Sequence, residues 1–170
     1  MPAYRVRIAG RLDLPAVNSL IERAITTWDT TERMRRLALP VYQYRQDDVD
    51  HMWLLAAEGR DGALAGVAAL EEADNAGLPV PGGGLLLHGI YVTPDAMGMG
   101  IGRALLESSA GIARALGREG LLVKAIRQSR GFFERCGLHA LPALEESDYP
   151  YRYWLGTGPL HCRASVADTQ

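Results

Sequence analysis

Gly98, Gly100 and Gly102 stand on alternate positions in Met97-Gly98-Met99-Gly100-Ile101-Gly102-Arg103, between a strongly apolar run and an amphipathic one. Glycine there lets the backbone turn its amides toward one point and lets a ligand come close. A helix starting just behind the loop adds unpaired donors and the positive end of the macrodipole. Such a construction suits a pyrophosphate; a glycine-rich turn made for packing alone is the plainer alternative. Two common phosphate patterns do not fit. The dinucleotide fingerprint wants a third glycine where Arg103 stands, and the Walker loop wants Gly-Lys-Ser/Thr where Gly102-Arg103-Ala104 stands.

The elements that must position this loop are legible on both sides. Leu85–Val92 is apolar enough for a buried strand, and Pro94, which has no amide proton to give a ladder, ends it. Behind the loop, Leu105, Leu106, Ile112, Ala113 and Leu116 recur at helical spacing, with Gly117 as a natural stop. Residues 121–126 then read as a second buried strand. A strand-helix-strand run of this kind implies a parallel or mixed sheet.

Elsewhere the chain alternates in the same way. Residues 4–8 read as a first strand, and Asp13 as an N-cap with Pro15 in the first turn. Val17, Leu20, Ile21, Ala24, Ile25 and Trp28 then form one helical stripe. Thr30 or Thr31 caps a further helix that Pro40 ends or kinks, and Asp47, Asp48 and Asp50 read as a solvated surface or another helix start, ahead of a role in attracting an amine. Residues 52–58 and 63–70 are a hairpin about Gly59-Arg60-Asp61-Gly62. Residues 76–84 are a loop rich in glycine and proline, residues 128–136 a short helix stopped by Gly137, and residues 149–155 a last strand.

Composition excludes several classes. At 170 residues, 48% hydrophobic and 22% charged, the chain suits one globular domain. A net charge of −2 gives no reason to expect a nucleic-acid partner. Cys136 and Cys162 make neither a disulfide framework nor a metal site, and no apolar run is long enough for a membrane. With no signal-peptide core at the start, a cytoplasmic location is the default expectation.

The glycine stretch resembles motif A of the GNAT superfamily of acyl-CoA-dependent N-acyltransferases, (Gln/Arg)-x-x-Gly-x-(Gly/Ala), with Met97 where Gln or Arg is usual. Ser129-Arg130-Gly131-Phe132-Phe133-Glu134-Arg135-Cys136-Gly137-Leu138 resembles the family's motif B, A-x-x-(Phe)-Tyr-x-x-x-Gly-Phe. The resemblance implies a single-domain α/β fold over residues 1–156, a mixed central sheet flanked by helices, with residues 157–170 as a tail. It implies a splayed strand pair that holds the pantetheine and acetyl-CoA as co-substrate. The implied cofactor contacts are Ile90, Tyr91 and Val92 on the strand, and Met97, Gly98, Met99, Gly100, Ile101, Gly102 and Arg103 in the loop. Ser129 and Phe133 would add contacts from motif B.

Direct acetyl transfer to an amine, as the resemblance implies, needs a neutral amine, a polarised carbonyl and a protonated leaving thiol. The strand position where family members often carry a Glu base is Leu86 here. His88, two residues further on the same face, takes that role by resemblance to the arylalkylamine acetyltransferases, and a histidine ordinarily titrates near neutrality. A histidine satisfied within the sheet is the other reading. Glu71 or Glu72, acting through a water, is the second candidate, with Glu72 assigned. Motif B's usual Tyr is Phe133, which has no proton to give, so the acid is sought among Tyr149, Tyr151 and Tyr153, with Tyr151 assigned. The expected function is N-acetylation of a small-molecule or peptide amine; an acyl-CoA-binding sensor with little catalysis is the alternative. Dimers are common in the family, and the strand at residues 149–155 can contribute to a homodimer.

Overall fold

The computed structural model describes residues 3–144 and 149–157. Seven strands form one mixed sheet: β1 (Tyr4–Ala9), β2 (Trp53–Gly59), β3 (Leu64–Glu72), β4 (Leu85–Val92), β5 (Gly120–Ala125), β6 (His139–Leu141) and β7 (Tyr151–Gly156), in the order β1-β2-β3-β4-β5-β7-β6. The first four are antiparallel neighbours, β4 and β5 run parallel, and β7 returns antiparallel beside β5. The helices are α1 (Leu14–Ile25), α2 (Glu32–Tyr42), α3 (Gln46–His51), α4 (Ile101–Ala115) and α5 (Arg130–Arg135).

Each face of the sheet has its own core. Val17, Leu20, Ile21, Ala24 and Ile25 of α1 bury their stripe against Leu54, Ala56, Val67 and Ala69 of β2 and β3. On the opposite face, Leu105, Leu106, Ala110 and Ala113 of α4 pack on Leu85, Leu87, Leu121 and Val123, with Phe133 and Cys136 closing the end. The parallel step from β4 to β5 needs a crossover, and α4 supplies it.

Several expected details are corrected. Asp13 sits at the N-cap of α1, but its carboxylate makes no cap; it accepts the Gly10 amide at 2.8 Å and two Arg7 N–H groups at 2.8 and 3.0 Å. Thr31 caps α2 by accepting the Met34 amide at 3.3 Å, and the helix runs on past Pro40 to Tyr42. Near a C-terminus, a proline interrupts only the last turn. Asp47 and Asp48 do belong to a helix start, where the Asp48 carboxylate accepts the Arg45 amide; Asp50 lies past the first turn and pairs with Arg11. β6 was not expected, since three residues carry too little pattern. Cys162 and the tail from residue 158 lie outside the described residues.

Candidate active site

Strand β4 changes character at His88. Leu85, Leu86 and Leu87 pair with Leu121, Leu122 and Val123 of β5, and no β5 partner follows. On the other side, Leu70 pairs with Leu87 but Ala69 pairs with Gly89, so His88 is an extra residue, a β-bulge. A bulge bends its strand and strengthens the local twist. Beyond it β4 turns away from β5, which continues beside β7 through Lys124 and Ala125. Two connected clefts open along the parting, sharing Trp28, Ile90, Tyr91, Ile126 and Ser129 in their linings.

One cleft, of about 620 Å³, leads to the glycine loop. Gly98 and Gly100 have φ of 79° and 81°, a left-handed backbone that side chains rarely adopt, and a Cβ on either would meet only open space. The loop is therefore bare on its outer side. Gly100 is the N-cap of α4 and has no side chain with which to cap it, so the first amides of the helix have no partner within it. Gly102 is different: a Cβ there would come within 3.1 Å of the Phe132 ring, so glycine allows α4 and α5 to meet. The charged side chains lining this cleft, Arg103 and Arg135, are both cationic. Amides, a helix start and two guanidinium groups all favour an anion.

The other cleft, of about 410 Å³, holds His88. Aromatic rings wall it: Trp28 meets Tyr42 edge-on at 4.9 Å, and Tyr42 meets Tyr91 at 6.5 Å. Glu71, Lys124 and Tyr149 also line it. The His88 Nδ1 lies 3.2 Å from the Tyr44 hydroxyl. Burial pushes the Tyr44 and Tyr91 phenols far above the ordinary tyrosine range, and Tyr42 is raised by burial and by its neighbour Tyr149. None of those three ionises near neutrality, so they act as hydrogen-bonding groups rather than bases.

The residues singled out from the sequence are therefore brought together in part. Ile90, Tyr91, Val92, Met97, Gly98, Gly100, Ile101, Gly102, Arg103 and Ser129 line the loop cleft, and Phe133 the histidine cleft. Met99 does not line either; it is exposed beside the loop. Glu72 lies apart: its carboxylate pairs with Arg118 at 2.7 and 3.0 Å, at the end of β3 away from the bulge. Tyr151 also lies outside both linings, its ring under the Arg130 guanidinium at 4.5 Å. Tyr149 takes its place beside the cleft. Tyr42 and Tyr44 have no local signal beyond being aromatic, and Trp28 only its place in the first helical stripe, because their placement depends on how α1 and α2 fold over the strand parting.

The chain belongs to the acetyltransferase (GNAT) family, whose model matches residues 17–138. No curated protein sequence matches it. Solved structures share its fold. The PaiA N-acetyltransferase of Thermoplasma acidophilum, in complex with coenzyme A, superposes with a TM-score of 0.75 at 15% identity, over 90% of this chain and 98% of that one. A GNAT-family acetyltransferase of Brucella melitensis, in complex with acetyl-CoA, gives 0.65 at 19% identity, over 95% and 92%. The GNAT-family N-acetyltransferase YhbS of Escherichia coli, in complex with CoA, gives 0.69 at 15% identity, over 93% and 83%.

Proposed function

We propose that this protein transfers the acetyl group of acetyl-CoA to a primary amine by direct attack within a ternary complex. The observation that carries this reading is the parting of β4 from β5 at His88, with the open glycine loop along one arm and the histidine along the other. The loop cleft suits the phosphate end of acetyl-CoA: Gly98, Gly100 and the uncapped start of α4 offer amides, and Arg103 and Arg135 offer charge. The open edge of residues 90–92 offers backbone groups to the amide-bearing pantetheine arm, as an added strand would be held.

The chemistry then falls to the junction of the two clefts. An acceptor amine enters as the ammonium, and His88 takes its proton, leaving a lone pair to attack the thioester carbonyl. Negative charge develops on the carbonyl oxygen, and in this reading a β4 amide on the edge not paired with β3 stabilises it. Phe133 is buried and has no proton to give, so in this reading Tyr149, which lines the same cleft, donates to the departing thiolate, and the second proton that the nitrogen loses on becoming an amide restores the phenol.

Release of thiol from acetyl-CoA over a panel of primary amines tests it, with His88→Ala alongside the native chain. The expected outcome is turnover with at least one amine, lowered about 10²–10⁴-fold in His88→Ala at neutral pH, with one ionisation lost from the pH profile. Binding of CoA without thiol release from any amine would favour the sensor. An unchanged profile in His88→Ala would pass the base role to Glu71.

A further inference from the structure

His88 cannot owe its ring orientation to the strand alone, because the bulge removes it from the regular β3 register. Another group holds it. The Tyr44 hydroxyl is 3.2 Å from Nδ1, and the two ring centroids are 5.8 Å apart. Tyr44 is itself fixed. It is 4% exposed, and Asn18 of α1 grips its backbone at two points: the Asn18 amide donates to the Tyr44 carbonyl at 2.8 Å, and the Tyr44 amide donates to Asn18 Oδ1 at 2.9 Å. The segment between α2 and α3 is thus clamped onto α1 with one phenol aimed at the bulge.

We propose that Tyr44 is a positioning residue for His88, its hydroxyl accepting the imidazole Nδ1–H so that the neutral ring keeps its free lone pair on Nε2. The catalytic consequence rests on His88 being the base; the tautomer does not. With Nδ1 turned to Tyr44, only Nε2, on the far side of the ring, can take a proton from an amine. That requires the neutral ring to carry its hydrogen on Nδ1 and Tyr44 to be the acceptor. Burial keeps the Tyr44 hydroxyl protonated, and Tyr91 is the polar neighbour toward which its own hydrogen can turn. The other titratable groups of this cleft are Glu71 from β3, Lys124 from β5, Tyr42 from α2 and Tyr149, and the charges of Asp48 in α3 and of Glu71 also favour the protonated Tyr44 phenol. The opposite arrangement, with Tyr44 donating to Nδ1, would leave a hydrogen on Nε2 and no base.

Nitrogen-15 spectra of the histidine rings test this directly, with His88 assigned by the signal missing from His88→Ala. The native chain is expected to show the Nδ1–H form for neutral His88. Tyr44→Phe keeps the ring and its packing but should shift the residue toward the Nε2–H form that free histidine prefers. In the same variant kcat should fall about tenfold at neutral pH, and the acid limb of the pH profile should move down by about one unit, with KM for acetyl-CoA unchanged. An Nε2–H ring in the native chain would overturn the proposal whether or not Tyr44→Phe folds, and so would a tautomer that Tyr44→Phe leaves unmoved. Should His88→Ala retain full turnover, the base reading would fail on its own, with the tautomer still measured.

Discussion

Residues 85–87 and residues 88–92 of β4 belong to one strand in different surroundings. The first three residues have a neighbour on both sides, and Leu85 and Leu87 are buried against α4. The later ones keep β3 on one side and face the clefts on the other. A single extra residue, His88, divides the two. Backbone groups that lose a sheet partner must find another, and an open half-strand in a groove is ready to take an extended ligand. One half of the strand is therefore held in the core and the other left open to the clefts, with His88 at the hinge.

Truncating each half in turn should separate these duties. The largest effect on stability is expected for Leu85→Ala: this fully buried side chain sits in the α4 core, and its loss should cost about 2–5 kcal/mol by denaturant unfolding. Ile90→Ala, at a half-buried position, should cost on the order of 1 kcal/mol while weakening acetyl-CoA binding. Equal stability losses at the two positions would erase the distinction.

A smaller effect lies at the far edge of the sheet, away from both clefts. Hydrogen bonds from Arg7 hold the Asp13 and Glu58 carboxylates below their ordinary range, with Arg5 also helping at Glu58. A carboxylate with a depressed folded pKa stabilises the fold above its unfolded value, and that contribution is lost as pH falls through the folded one. The native chain should thus lose melting temperature between roughly pH 5 and pH 2. Arg7→Met should melt lower at neutral pH and lose less over that interval. A parallel curve would remove the network from the account.

The same division marks how much could be read without coordinates. The bounds of β4, the loop and the α4 stripe follow from local pattern, because burial on both faces, left-handed glycines and helical spacing each leave a mark on nearby residues. The two family motifs extend that reading along the glycine-loop cleft. The histidine cleft leaves no such mark. Tyr44 touches Asn18 and His88, which lie far from it in the chain, and nothing in Val41-Tyr42-Gln43-Tyr44 announces either contact. Glu72 and Tyr151 are instructive for the same reason: Arg118 and Arg130, the cations that engage them, come close only in the folded chain. The bulge is equally silent, since a run such as Leu87-His88-Gly89 reads as ordinary strand until its partner is known.

Calorimetric titration of the native chain and of Gly100→Trp with acetyl-CoA, CoA and NADH tests the central claim most directly. Gly100 is left-handed and faces open space, so an indole there would strain the loop and fill the glycine end of the cleft. Micromolar binding of acetyl-CoA and CoA but not NADH by the native chain, abolished in a folded Gly100→Trp, is the predicted result. Unchanged CoA affinity in that variant, or no CoA binding by the native chain, would contradict it and reduce the glycine loop to a turn.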